Sequence, residues 1–260
     1  MSKNPDYSVP ALERGLDVLE VLASQRRPLT LTELARHSDH TANGLFRITD
    51  CLVKRGYLQR DPASGAFRLS LRLFELAHTH SPVDELLRAA RQPMEDLVAR
   101  LGESCHLSLL EAGELVIVAQ TLANRRVRLS IEVGSRVPAG QTASGRLLVA
   151  HLNDAARDAW TRRQAKDGPV PTARCPRPGE LGRLRAEGYC AAYEDTVRGV
   201  ADVAVLVGDP EVGALAALTV ASLSPGNPEA FTKRALPVLR TTALEITKQS
   251  GLRGGPDARA

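Results

Sequence analysis

Apolar residues near the start of the chain recur at helical spacing. From Pro10 onward, Leu12, Leu16, Leu19 and Leu22 fall three or four apart, which predicts a helix with one apolar face ending near Ser24. Thr30 and Glu33 form a capping-box pair and Leu29 can staple to Leu34, so a short second helix runs to about His37. Thr41 is a fitting N-cap for a third helix, in which Leu45, Ile48 and Leu52 share a face and Gly56 supplies the stop. The period then changes. Tyr57-Leu58-Gln59-Arg60 and Ala66-Phe67-Arg68-Leu69 alternate around the turn-rich Asp61 to Gly65, which predicts a hairpin. Helix, helix, helix, hairpin is the order of the winged helix-turn-helix.

A short helix through Leu71, Leu73, Phe74 and Leu76 leads to His78-Thr79-His80-Ser81-Pro82, a joint by composition. From Val83, the residues Leu87, Ala90, Met94, Leu97, Val98 and Leu101 outline an amphipathic helix, bent at Pro93 and closed by Gly102. Strand periodicity follows. Cys105 to Leu110 and Leu115 to Gln120 flank a turn, and Val127, Leu129, Ile131 and Val133 alternate with Arg128, Ser130 and Glu132, all as strands with one wet face. Helices are expected at Thr142 to Leu152, Asp154 to Ala165, Glu180 to Glu187 and Pro228 to Ser250, and further strands at Val200 to Val207 and Ala214 to Ala221. This order predicts an α+β sheet covered mainly on one face. The expected division is a winged helix-turn-helix domain over 1–80, a linker and dimerisation helix over 81–102, an effector-binding domain over 103–250 and a disordered tail over 251–260.

Composition narrows the function. At 260 residues, two domains are the better expectation than one. With 34 Lys and Arg against 30 Asp and Glu, the +4 charge permits a nucleic-acid partner without requiring one. Only 3% of residues are aromatic, too few for a stacking platform on single strands, so duplex DNA is the better partner. Cys51, Cys105, Cys175 and Cys190 are widely spaced with no CxxC pair and read as reduced thiols. The chain shows neither an apolar run of membrane-spanning length nor a signal-peptide pattern in MSKNPDYS, so a cytoplasmic location is expected.

Most of the candidate chemistry has a plain alternative. Gly140-Gln141-Thr142-Ala143-Ser144-Gly145-Arg146-Leu147 nearly spells a phosphate-binding loop, but Arg146 stands where that loop has lysine and Leu147 where it has a hydroxyl for magnesium. A loop entering a helix is the better reading. Cys105 and His106 suggest a nucleophile and its base, yet strand neighbours point to opposite faces, so a core cysteine and a surface histidine are expected. Neither His37 and His40 nor His78 and His80 sit at a metal-ligand spacing with nearby Cys or Asp. No cofactor is expected. Asp202 interrupts an apolar strand, so it either faces solvent or lines a polar pocket. On the third helix, Asn43, Gly44 and Arg47 lie opposite the apolar face, near the end that such domains place in the major groove; a merely solvated face is the alternative. Phe46 meets either a thymine methyl or helix one.

Taken together, Pro10 to Leu16, Leu29 to Ala35, Leu52 to Gln59 with Asp61-Pro62, Thr142-Ala143-Ser144-Gly145-Arg146, Glu187-Gly188-Tyr189 and Arg198-Gly199-Val200 resemble, in order and spacing, the IclR family of bacterial transcription regulators. The resemblance implies a non-enzymatic regulator that binds pseudo-palindromic operators as a dimer or dimer of dimers. It further implies a GAF-like domain that reads a small metabolite. The DNA-contacting set is then Thr30, Thr41, Asn43, Gly44 and Arg47, with Arg60 and Arg68 on the wing. The carried-over pocket is Ala143, Ser144, Ala192, Val200, Asp202, Thr219 and Ala221. The family's sensors of keto acids or aromatic acids have a polar or acidic residue where Ala192 stands and a neutral one where Asp202 stands. A carboxylate repels an anion placed beside it and accepts hydrogen bonds from hydroxyls, so a sugar, sugar acid or other small polar metabolite is the expected effector. A repressor of a catabolic operon is expected rather than an activator. The rivals from other classes are a small-molecule binder or enzyme whose first domain is a protein-interaction module, and an oligomerisation protein without a ligand.

Overall fold

The computed structural model describes residues 9–78, 82–164, 176, 178–210, 215–223 and 225–250. The expected joint at 79–81, the first strand residue Ala214, the last residue of the Asp154 helix, Cys175 and the tail over 251–260 lie outside the described residues. The chain falls into two compact units, residues 1–81 and 82–260.

The first unit runs α1 (Pro10–Gln25), α2 (Leu31–His37), α3 (Ala42–Lys54), β1 (Leu58–Arg60), β2 (Phe67–Leu69) and α4 (Arg72–His78). Val18, Leu22, Leu29, Leu34, Leu45, Leu58 and Phe67 make its core. Leu29 exchanges two backbone hydrogen bonds with Phe67, at 3.0 and 2.7 Å, which ties the residue before the α2 cap to the antiparallel hairpin. The inward face of α1 differs from the expected stripe. Val18 and Leu22 are buried while Leu12 and Leu16 are 60% and 48% exposed.

The second unit opens with α5 (Pro82–Leu101), followed by β3 (Ser104–Glu111), β4 (Glu114–Thr121), β5 (Arg136–Pro138) and a 3-10 turn at Ala139–Gln141. It continues through α6 (Ala143–Ala150), α7 (Asp154–Gln164), α8 (Pro178–Glu187), β6 (Tyr189–Tyr193), β7 (Val200–Val207), β8 (Ala216–Leu223) and α9 (Pro228–Gln249). Among the described residues the strands form one antiparallel sheet in the order β5-β4-β3-β8-β7-β6.

Both faces of that sheet are covered, which corrects the expectation of one wet face. Cys105, Leu107, Val203, Val205, Leu218 and Val220 pack under α5 and α9. Residues of the opposite parity, among them Cys190 and Ala204, pack with Leu147 of α6 and Leu184 of α8. The cause lies in β7 and β8, which are apolar nearly throughout, as strands buried on both faces must be. The apolar face of α5 is accordingly part of its own unit's core.

Two strand assignments also change. Val127 to Val133 is not a strand despite its alternation, and Val127 and Val133 are exposed. The outer edge of β4 from Glu114 to Ile117 is taken by β5 and by backbone bonds in which Ile117 N–H donates to Ser135 and Gly134 N–H donates to Ile117, and among the described residues the alternating segment pairs with no strand. Conversely, Tyr189–Tyr193 is a strand, paired antiparallel with β7.

Candidate functional site

In the first unit, local capping fixes the helices. Thr30 Oγ1 donates to Glu33 Oε2 at 2.8 Å and accepts from the Glu33 N–H, while the Thr30 N–H donates to the same carboxylate at 2.8 Å. That backbone bond, then the Arg27 side chain at 2.9 Å, holds the Glu33 carboxyl down at about 2. The Thr30 hydroxyl is therefore engaged within the cap. Thr41 caps α3 through the Gly44 N–H at 3.2 Å. A Cβ at Gly44 would stand 3.0 Å from Thr41 Oγ1, so any side chain there presses on the cap.

Beyond the cap, Asn43, Phe46 and Arg47 are exposed, and Phe46 shows 57% of its surface. The inward side of α3 is Leu45 and the buried Thr49, whose hydroxyl donates to the Leu45 carbonyl at 3.1 Å. On the wing, Arg60 lies 5.5 Å from the Phe67 ring centroid and Arg68 is exposed. Asp61 closes the hairpin turn by accepting from the Ser64 and Ala63 N–H groups and the Ser64 hydroxyl, which lowers its pKa. The same unit carries an apolar groove of about 730 Å³, lined by Leu12, Leu16, Ile48, Leu52, Leu73 and Leu76 among others.

The second unit gathers the other set. Thr142 caps α6 by accepting from the Gly145 N–H at 2.9 Å. Gly145 lies so close to the 3-10 turn that a Cβ would fall 2.1 Å from the Ala139 carbonyl oxygen. Ala143 packs with Cys190 and Ala204 of the sheet, and Ser144 beside it is buried. Arg146 is turned inward, with Nη2 2.5 Å from Asp195 Oδ2 and 3.7 Å from Cys190 Sγ, and Nε 3.6 Å from Glu180 Oε1. An inward, paired arginine is the opposite of a phosphate-cradling lysine.

The strand register places the remaining expected residues on the face that α6 covers. Ala192, Asp202 and Ala221 stand in one row across β6, β7 and β8, and Val200 lies two residues before Asp202 on the same face. The next row holds Cys190, Ala204, Thr219, His106 and Gln120. Burial, then the nearby Asp195, pushes the Asp202 carboxyl up to about 6, against the pull of Arg146. Burial likewise raises the Cys190 thiol. Thr219 is 1% exposed, and its hydroxyl has no partner among the described residues.

His106 is the residue the sequence misplaced. It is 6% exposed rather than on the surface, because the face to which strand alternation assigns it is covered by α6. Burial lowers its imidazole to about 4, so it is neutral at pH 7. Cys105, on the opposite face, is pushed up to about 12 by burial and is no nucleophile. Among the described residues no cluster of His, Cys, Asp and Glu could hold a metal, and no helix is long and apolar enough to cross a membrane.

Comparison with known proteins follows this division. The family model for the bacterial transcriptional regulator IclR C-terminal domain matches residues 80–248, and that for the IclR helix-turn-helix domain matches residues 11–62. The chain is 32% identical to the glycerol operon regulatory protein of Streptomyces coelicolor over 214 residues, which is 78% of this chain and 80% of that protein. It is 26% identical to the HTH-type transcriptional regulator XynR of Escherichia coli over 219 residues, 83% of this chain and 87% of the other. Among solved structures, an IclR homolog from Microbacterium hydrocarbonoxydans complexed with 4-hydroxybenzoate matches with a TM-score of 0.74 and 25% identity, covering 94% of this chain and 100% of that one. The relatives are named as transcriptional regulators, not enzymes.

Proposed function

The chain belongs to the IclR family of bacterial transcriptional regulators, and from that premise we propose that it is a cytoplasmic repressor of a catabolic operon, released from its operator by a sugar, sugar acid or other small hydroxyl-rich metabolite. The observation that carries this reading is the gathering of Asp202, Thr219, Ala192, Ala221 and Val200 on one sheet face beneath α6, the helix that begins with Ala143 and Ser144. A carboxylate and a hydroxyl there suit a ligand rich in hydroxyls. Similarity to glycerol operon regulatory proteins supports the same class.

At the DNA end, Asn43, Gly44 and Arg47 enter the major groove beside Thr41. Arg60 and Arg68 meet phosphates from the wing, and Thr30 acts through its cap. A homodimer, alone or paired into a dimer of dimers, would present two α3 helices to the halves of a pseudo-palindromic operator. The exposed leucines of α1 and the groove beside them are the surface that fits this pairing.

The test combines nuclease protection of the DNA upstream of the protein's own gene with calorimetry against sugars, sugar acids, amines and aromatic acids. Protection that one of the polyhydroxy compounds relieves is expected. Absence of protection would overturn the regulator reading, and tight binding of an aromatic acid alone would overturn the effector class.

A further inference from the structure

We infer that His106 and Thr219 form a hydroxyl-reading pair in the effector site, and that this pair sets the site to take an uncharged polyol with two neighbouring hydroxyls in preference to the corresponding carboxylic acid. The inference rests on the reading that the sheet face beneath α6 is that site.

The two residues face each other across β3 and β8 in direct register, which brings their Cβ atoms to about 5 Å. Both are buried, at 6% and 1% exposure. The Thr219 hydroxyl is enclosed without a hydrogen-bond partner among the described residues, and the buried His106 ring stands beside it. Leaving a buried hydroxyl unpaired destabilises the fold, so an enclosed, unpartnered one marks a place that a bound group completes.

Their polar neighbours on β3 and β4 each have a partner of their own. Ser108 donates to the Ala217 carbonyl at 3.3 Å, Ser104 accepts from the Ala123 N–H at 3.0 Å, and Gln120 accepts from Ser130 at 3.2 Å. Besides the Thr219 hydroxyl, Arg146 Nε and Asp195 Oδ2 are enclosed without a hydrogen-bond partner among the described residues, and Asp202 stands one row from Thr219 on the same face.

The chemistry of the pair defines what completes it. A neutral imidazole offers one donor and one acceptor, and a threonine hydroxyl offers the same, which matches two adjacent hydroxyls that each donate and accept. Burial keeps His106 neutral well below pH 7, so it brings no positive charge for an anion. The charged groups around Arg146 point the same way: three carboxylates, Asp195, Glu180 and Asp202, stand against one guanidinium. A ligand carboxylate would meet surplus negative charge, whereas an uncharged polyol would not.

The experiment uses the full-length protein, calorimetry with two matched pairs of probes, glycerol with glycerate and glucose with gluconate, and thermal unfolding without ligand. Wild type is expected to bind an uncharged member at least about ten-fold more tightly than its acid. Thr219→Val, which is isosteric, and His106→Leu are each expected to weaken that binding by about ten-fold or more. The unliganded midpoint of Thr219→Val is expected to hold or rise, because an unpaired buried hydroxyl has been removed. His106→Gln should restore part of what His106→Leu loses. A Thr219→Val protein with a lower midpoint and unchanged affinity would show a structural hydroxyl and overturn the inference, as would tighter binding of an acid. If wild type binds none of the four probes, the polyhydroxy reading itself fails, a result distinct from equal binding by wild type and variants.

Discussion

Arg146 of α6 and Asp195 in the turn between β6 and β7 approach to 2.5 Å, and Glu180 of α8 stands 3.6 Å from the same guanidinium. One nearly buried arginine thus holds a helix, a turn and a second helix over the face that carries Asp202. Without it, the carboxylates lose their counter-charge in a poorly solvated place. Arg146→Met is expected to destabilise the protein by about 3 kcal/mol at pH 7, the lower end for a broken buried pair because the two carboxylates keep some contact with water. Urea denaturation followed by circular dichroism measures this, and a loss under about 0.5 kcal/mol would mean the pair contributes little.

Asp202 should make effector binding depend on pH. Hydroxyl donors favour the ionised carboxylate, and its folded value is about 6, so affinity for a polyol is expected to rise as pH climbs through 6 and to level above 7. The stability effect has the opposite sign. A carboxyl whose value is raised on folding from 3.8 to about 6 contributes fully below pH 4, and that contribution is lost as pH rises through 6. Asp202→Ala should therefore weaken ligand binding by about one to two decades, flatten its pH profile and leave the unliganded protein at least as stable at pH 7. Operator affinity without ligand should be unchanged. Calorimetry between pH 5 and 8 reads the first two, and an unaltered profile in the variant would place Asp202 outside the site.

Gly145 sets where α6 begins to cover the sheet. Its Cβ-less backbone lies against the Ala139 carbonyl, and added carbon would meet three backbone atoms between 2.1 and 2.7 Å away. Neither partner is a side chain that can swing aside. Gly145→Ala is expected to destabilise by about 1–3 kcal/mol through overpacking and to weaken effector binding, since Ser144 and Arg146 move with the helix. Thermal unfolding alongside calorimetry checks both; a variant as stable as wild type would show that the 3-10 turn yields freely.

What could be read from the sequence was what is settled locally. Thr30 with Glu33 and Thr41 before α3 are pairs a few residues apart, so their caps followed from spacing, and Asp202 drew notice as a carboxylate inside an apolar strand. What could not be read depends on where distant chain returns. Alternation put Cys105 and His106 on opposite faces correctly, but only the return of α6 across β3, β7 and β8 decides that the His106 face is dry. The apparent strand at 127–133 failed for the same kind of reason, since alternation alone names no partner strand and it pairs with none. Arg146 looked like a failed lysine because Glu180 and Asp195, which turn it inward, lie on elements the motif does not contain.

On α3, Arg47 is exposed on the face opposite Leu45, where it can reach either a guanine edge or a phosphate. The two contacts have different signatures. If Arg47 reads guanine, Arg47→Ala should cost about 1–3 kcal/mol of operator affinity and flatten preference at that base. A phosphate contact would instead weaken binding to all sequences alike and lower the salt slope by about one. Arg60→Ala and Arg68→Ala should show only the phosphate pattern. Titrations on operator and scrambled duplex at several salt concentrations separate the cases, and an unchanged titration would remove Arg47 from the interface.

Leu16 tests the assembly. It and Leu12 are exposed on α1 because the helix turns Val18 and Leu22 inward, leaving its leucine stripe as one wall of the 730 Å³ apolar groove. Such a surface on a small unit is costly to leave in water, and a second copy that meets it across a two-fold axis buries the same surface twice. Leu16→Glu places a charge in that contact while leaving the monomer core untouched, since Leu16 is not part of it. Thermal stability of the first unit should therefore change little, whereas the dimer should weaken and operator affinity fall with it, because two half-sites are no longer held by one particle. Sedimentation of wild type and variant at micromolar concentration, with parallel operator titrations, measures both. A variant that remains dimeric with full operator affinity would move the subunit contact away from α1.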